Sequence, residues 1–527
     1  MTPQGYLSIV LHAHLPYVRH PEFGDFLEED WLFEAVAETY LPFIERCNQL
    51  VDEGVDFRFT LTVTPSLASM LSDPLLKERT SRYLDRLIEL SGKEITRTAG
   101  QEAFHHLAHW YDSRFRRLRD LYRSLNGDLI AGFRSLADQG VLEIMTCAAT
   151  HGFLPLLRVV PKAAEAQIRL GVAAHRHFFG RDPDGIWLPE CAYYPGLEKI
   201  LADNGLKFFL VDTHGIVHAQ PRPLYGVYAP IYTPSGVAAF ARDAESSKQV
   251  WSSKEGYPGD HNYRDFYRDI GYDLDFDYIG PYVQPTGLRK FTGIKYHRIT
   301  GETEHKEPYS PEIALEKAAI HAANFLYNRE RQVEYLNSRL GRPPIIVAPY
   351  DAELFGHWWF EGPDFLYFLA KKVHYDTGTF KLTTPIEYLR NHPVQQEAMP
   401  DASSWGDKGY YEVWVNEGND WIYPHLHEMA ERMVGLANKY PHPEETLRRA
   451  LNQCARELVL AQSSDWAFLI TTGTAIDYSV QRTRNHIGRF LKLFDQIEGN
   501  CLDRGYLDRL EDYDNIFPFM DYRYWAD

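Results

Sequence analysis

Ala348-Pro-Tyr-Asp-Ala-Glu-Leu-Phe-Gly-His-Trp-Trp-Phe-Glu-Gly-Pro363 is the stretch around which the chain is organised. It follows Pro344-Ile-Ile-Val-Ala348, an apolar run rich in β-branched residues that predicts a short buried strand, and then changes character at once. Asp351, Glu353, Glu361 and His357 stand here among five aromatic rings and two glycines. Exposed indoles cost solubility, and buried carboxylates cost several kcal/mol of desolvation unless something compensates them. Rings beside acids suit sugar cleavage, because pyranose faces stack on aromatic faces while carboxyl groups work on the glycosidic oxygen. The plainer alternative is a core strand followed by an aromatic-rich packing helix with Asp351 as its N-cap.

Working outward, the same rhythm recurs. Tyr6–Leu11 reads as a buried strand that delivers His12 and His14 on one side of its carboxyl end, since side chains alternate with period two. Helical periodicity from about Trp31 to Leu50 leads to a strand at Phe57–Val63, and further strands are expected at Glu143–Ala148, Gly185–Pro189, Lys207–Val211, Val237–Ala241 and Ile345–Val347. An eighth near Thr379–Leu382 is arguable. Strands alternating with helices are the signature of parallel βα units. Two stretches interrupt the pattern: a charged amphipathic excursion over about 73–139, and a Gly-, Tyr- and Asp-rich stretch over about 243–304. The latter is far longer than ordinary connections and reads as a functional lid or a small excursion of its own, with Trp251 and Tyr257 as candidates for its working tip. Past residue 400 an aromatic loop carrying Trp405 and Trp414 gives way to helical text, with Ser464-Asp-Trp-Ala-Phe468 read as a helix-end motif. The expected architecture is α/β, a parallel barrel over 1–400 with an all-α region over 401–527.

Composition narrows the function. At 527 residues the chain exceeds what one core usually supports. The balance of 55 basic against 73 acidic residues, net −18, excludes a polyanionic partner such as nucleic acid held by a general field. Cys47, Cys147, Cys191, Cys454 and Cys501 are odd in number, scattered and without a CxxC pair, which predicts neither a disulfide framework nor a zinc ribbon and fits a reducing cytoplasm. The N-terminus has no basic leader, and no apolar run approaches the roughly 20 residues of a membrane span.

In a parallel barrel the active site lies where strands end. The predicted exits carry His12/His14, His151, Glu190 (preceded by Trp187), Asp212/His214, Arg242/Asp243 and Asp351/Glu353. Two carboxylates at different exits, Glu190 and Asp351, suffice for glycoside cleavage, and a separation of about 5–5.5 Å would retain configuration. Which acid plays which part stays open, although the rings around Asp351 favour the proton donor role. Histidines and aspartates at strand exits also fit a metal-dependent deacetylase, and a non-catalytic glucan-binding scaffold would use the same rings.

The set His12-Ala-His-Leu-Pro16, Trp187-Leu-Pro-Glu190 and Pro349-Tyr-Asp-Ala-Glu-Leu-Phe-Gly-His357, in this order, resembles glycoside hydrolase family 57, and more narrowly its 1,4-α-glucan branching members, over essentially the whole chain. The resemblance implies a (β/α)7 barrel, Glu190 as nucleophile, Asp351 as general acid/base, no metal and no cofactor. It implies that His12, His14 and His151 border the glycosyl subsite and that Trp405, Trp414, Asp465 and Trp466 form a substrate groove. Trp187, Asp212, His214, Arg242 and Trp358 are further substrate-binding candidates at the strand exits. The implied partner is an α-1,4-glucan such as amylose or glycogen. An α-amylase or a 4-α-glucanotransferase would use the same scaffold.

Overall fold

The computed structural model describes residues 3–251, 256–284, 286–303 and 305–527. Its centre is β1 (Gly5–Ala13), buried along nearly its whole length between β2 (Phe59–Val63) and β8 (Ile345–Asp351). These strands are continuous apolar runs because helices cover both faces of a parallel sheet. β3 (Leu142–Cys147), β4 (Gly185–Trp187), β5 (Phe208–Val211) and β7 (Ala238–Ala241) extend the path in the order β7-β5-β4-β3-β2-β1-β8, all parallel. Just past β7, the Asp243 amide donates to the Val347 carbonyl at 2.9 Å and brings the two ends of the path together. The result is a (β/α)7 barrel. Among the described residues three short strands lie outside this seven-strand path: β6 (Ile231–Tyr232) is antiparallel to β7, β9 (Phe380–Leu382) pairs with β1, and β10 (Gln396–Glu397) pairs with β6.

Register levels the strand exits. His12 of β1 is paired with Asp351 of β8 on one side and Thr62 of β2 on the other. β8 runs three residues past the apolar run Pro344–Ala348, so Asp351 is the last residue of the strand. It makes no capping hydrogen bond to the short turn Ala352–Leu354, and the packing helix begins only at Gly362. The N-cap alternative for Asp351 therefore fails. Glu190 likewise caps nothing, since the following helix, Leu197–Asp203, starts behind Gly196.

The excursion after β2 is helical, as expected: Pro74–Arg97, Glu102–Ser124 and Leu129–Asp138. Asp73 and Asp128 accept from Leu76 and Ala131 amides at 3.0 Å and start two of these helices. The stretch after β7 is an excursion packed on the barrel. It holds the short helices Ala244–Trp251, Ile270–Asp273 and Phe276–Ile279, tied down by buried ion pairs from Lys290 to Asp30 and from Arg264 to Glu38, both at 2.7 Å. Helix Pro311–Leu340 leads back to β8. Beyond residue 420 the chain is helical, with Ile422–Lys439, Glu445–Ala461, Ser464–Thr472, Ile476–Glu498 and Arg504–Tyr513. Ser464–Phe468 thus begins a helix, where the sequence read as a helix end.

One irregularity bears on the site. The helical run Asp30–Ala35 passes through a π-helical turn, Val36–Tyr40, into Leu41–Asp52. Pro42 has no amide to give to the Glu38 carbonyl, so regular α-helix is interrupted there. Gly356 approaches that carbonyl: at φ +121° its missing Cβ would sit 2.0 Å from Glu38 O. Gly356→Ala should therefore cost about 3 kcal/mol or more, read as a lowered midpoint in thermal or denaturant unfolding, whereas Gly24→Ala, with nothing within 4 Å, should leave it within about 0.5 kcal/mol.

Candidate active site

A cavity of about 1650 Å³ opens at the strand exits and is lined by His12, His14, His151, Glu190, Arg242, Asp351, Glu353 and Asp465, with Trp251, Trp358, Trp405 and Trp414 among its walls. Small-molecule pockets commonly occupy about 300–1,000 Å³, so this one accommodates several sugar units.

Glu190 is aimed by strained backbone. It and Cys191 adopt left-handed φ of 62° and 49°, a conformation that costs about 1–2 kcal/mol per non-glycine residue. The aromatic loop stabilises this turn. Trp405 donates its amide to the Glu190 carbonyl at 3.0 Å and its indole Nε1–H to Glu190 Oε2 at 2.8 Å, while the Tyr193–Ser403 bridge joins the loop to the exit of β4. Burial pushes the Glu190 carboxyl up to about 7, against the Trp405 hydrogen bond, with the charge of Asp351 adding to the rise. Burial also lifts Asp351 to about 7, and there the neighbouring Glu353 adds to the effect while His14 opposes it. The two carboxyl groups share one cavity and feel each other's charge.

The histidines divide by partner. His12 Nε2 and His151 Nε2 stand 3.0 Å apart and share one proton, and burial followed by repulsion from His14 holds both well below the ordinary imidazole range. Burial alone would depress His14 too. Asp465, whose Oδ1 lies 3.0 Å from His14 Nε2, overrides this with help from Glu190 and Glu353, and His14 titrates above its usual value. Of the three imidazoles, His14 is the one whose protonated form is favoured. His151, itself at φ 60°, is gripped by the helical region: its carbonyl accepts the Ser464 amide at 3.1 Å and its Nδ1 meets Ser464 Oγ at 2.9 Å. The helix start at Ser464 is thus what delivers Asp465 to the cavity.

Donor atoms of His14, His151 and Asp465 lie within 4.8 Å of one another, so these three could ligate a metal. Each is already committed within the network above, and a bound metal would have to displace those hydrogen bonds.

Five predicted site residues stand behind the cavity. Trp187 is fully buried and stacks on His12 at 4.4 Å and 10°. Asp212 accepts from Arg242 at 2.6 Å and so holds the guanidinium that does line the wall. His214 Nε2 hydrogen-bonds the Gly409 carbonyl at 2.8 Å and steadies the aromatic loop. Tyr257 turns away, its ring stacked on His321 and its hydroxyl on Asn324, because it packs against the helix Pro311–Leu340. Trp466 donates to the Leu460 carbonyl inside the helical core. Trp358 is an exposed platform stacked on Phe266 at 4.4 Å, and Trp251 meets Trp405 edge-on at 5.9 Å. Sequence reasoning missed Phe266, Tyr267 and Phe468 on the wall, because an aromatic residue carries no signal of the direction in which its ring points.

The family model described as glycosyl hydrolase family 57 matches residues 8–401, and that described as 1,4-alpha-glucan branching enzyme, C-terminal, matches residues 425–525. The 1,4-alpha-glucan branching enzyme TK1436 of Thermococcus kodakarensis is 35% identical, over 98% of this chain and 77% of that protein. Among solved structures, the alpha-amylase AmyC of Thermotoga maritima superposes with a TM-score of 0.94 at 46% identity, covering 99% of both chains. The GH57-type branching enzyme of Pyrococcus horikoshii gives 0.90 at 34% identity, over 99% of this chain and 97% of that one.

Because Asp465 is what keeps His14 charged, Asp465→Asn should drop the His14 pKa below its ordinary value of 6.5. Histidine-selective NMR titration of labelled protein reads this directly; an unchanged His14 midpoint would contradict the assignment.

Proposed function

The chain belongs to glycosyl hydrolase family 57, and on that premise we propose that it is a 1,4-α-glucan branching enzyme. The observation that carries this reading is the joint construction of the site: a helical region matching the branching-enzyme C-terminal model contributes Asp465 to the cavity of the barrel and, through Ser464, holds His151 on its wall. We read 1–400 as the catalytic unit and 401–527 as the helical unit that completes its groove.

In the proposed reaction, an α-1,4-glucan lies along the aromatic walls with one sugar held against His12, His14 and His151. Asp351 gives its proton to the glycosidic oxygen as Glu190 attacks the anomeric carbon, breaking the bond and leaving the non-reducing fragment covalently attached to Glu190. The reducing-end piece departs. Asp351, now ionised, takes the proton from the 6-hydroxyl of an acceptor glucan, whose oxygen displaces Glu190 and forms an α-1,6 branch with configuration retained. Raised proton affinity at Asp351 suits a group that must begin the cycle protonated, and the Trp405 Nε1–H favours the ionised form of Glu190. Transfer requires that water be kept from the intermediate; Trp405, Trp414 and Trp358 wall the cavity. Arg242, fixed by Asp212, offers hydrogen-bond donors to sugar hydroxyls.

A second reading, hydrolysis, is favoured by the 46% identity to a protein described as an alpha-amylase. Both readings use the same carboxylates and differ only in the acceptor. Among the described residues no helix is long and apolar enough to cross a membrane, and the five free cysteines suit the reducing cytoplasm in which we place the enzyme.

Incubation with amylose should yield new α-1,6 anomeric proton signals in excess of new reducing ends. Reducing ends without branches would establish the hydrolase. Glu190→Gln and Asp351→Asn should each lower turnover by roughly 1,000-fold or more while amylose still binds. Trp405→Phe removes the hydrogen bond that opposes protonation of Glu190, so the acid limb of kcat/KM should move to higher pH; movement to lower pH would refute the role given to that indole.

A further inference from the structure

Asp351 is not the only buried acid on β8's exit. Glu353, two residues on, lines the same cavity and is only 9% exposed. Its Oε1 accepts the His14 amide at 3.1 Å and a short hydrogen bond from the Tyr40 hydroxyl. Tyr40 ends the π-helical turn, one residue past Thr39 and two past Glu38, whose own carboxylate grips His357 at 2.8 Å. The turn thus holds the Asp351–His357 segment at two points, and one of them is an acid with no part in the chemistry described above.

Resting on the assignment of Asp351 as acid/base, we propose that Glu353 is a positioning residue of this reaction: pinned by Tyr40 and the His14 amide, its negative charge keeps a proton on Asp351 until the glycosidic oxygen takes it.

The argument is geometric first. Two acids flanking one residue of a strand end cannot both ionise without repulsion, least of all in a cavity walled by indoles. One must yield, and the hydrogen bonds decide which. Glu353 receives two donors that favour its charged form, whereas no donor to Asp351 is found among the described residues. The titratable groups facing Glu353 are Asp351 on its own strand exit, His14 just past β1 and Tyr40 from the π-helical turn; Asp465 reaches it only through His14. Arg264 and the His357 ring are engaged by Glu38. Burial lifts Glu353 to about 7, and the Tyr40 hydroxyl, followed by the His14 charge and amide, opposes that rise, so Tyr40 supports the charge that acts on Asp351. Both carboxyls are lifted to about 7, and the hydrogen bonds to Glu353 favour holding the proton on Asp351.

The test is the pH profile of kcat/KM on amylose for the full-length enzyme, whose basic limb reports loss of the Asp351 proton and whose acid limb reports Glu190. Glu353→Gln removes the like charge, so the basic limb should fall by about one pH unit while the acid limb stays. Tyr40→Phe lets Glu353 neutralise earlier and should move the basic limb the same way by less. A merely structural role would lower turnover at every pH with both limbs in place, and that result in either variant overturns the proposal. Should Glu353→Gln fail to fold, the basic limb of Tyr40→Phe decides alone. Asp351→Asn separates the two levels: if it retains turnover, the acid/base assignment itself falls; if it is inactive while the limbs of both other variants superpose on the parent, only the role of Glu353 falls.

Discussion

The parallel pairing of β1 between β2 and β8 is the constraint on which the rest depends. Side chains on neighbouring parallel strands are level only in one register, and a slip of one residue would turn every side chain to the other face. In the observed register His12 stands beside Asp351, and the continuation of β1 puts His14 against Glu353 and Thr64. Buried apolar residues along β1 enforce that register through core packing, so the position of the site is a by-product of where the core must be.

On this frame the electrostatics are graded by what each side chain touches. Uniform burial would neutralise every group in the cavity. Instead Asp465 keeps His14 charged, Trp405 steadies the ionised Glu190, and the histidine pair His12/His151, packed between Trp187 and His14, stays neutral. The partners that create these differences come largely from outside the barrel strands. An aromatic loop supplies the indole, and the helical region supplies the acid and the serine that orients His151.

The strands and the polar residues at their exits were legible because apolar β-branched runs punctuated by His, Asp or Glu have a local signature. So was the helical character of the excursion after β2 and of the text past residue 400. What local text does not carry is side-chain direction. Asp212 and His214 sit at a strand exit as read, yet one holds an arginine and the other a loop carbonyl. Trp466 adjoins Asp465, but successive residues on a helix point about 100° apart, so only one of them reaches the cavity. The π-helical turn was invisible for a different reason: its signal is the single residue Pro42 inside an otherwise regular helical pattern. Asp465 itself was found through family resemblance, since an acid in a stretch read as a helix end carries no signal of the cavity it enters.

The double hold of Trp405 on Glu190 has a consequence for biosynthesis. A ribosome releases the N-terminal end first, and barrel strands begin to assemble before the tail is made. A nascent chain that has emerged only to residue 400 lacks the indole that steadies its left-handed turn, and one that stops short of residue 465 still lacks the acid that charges His14. The contacts that steady the Glu190 turn and raise the His14 pKa are therefore completed late in translation.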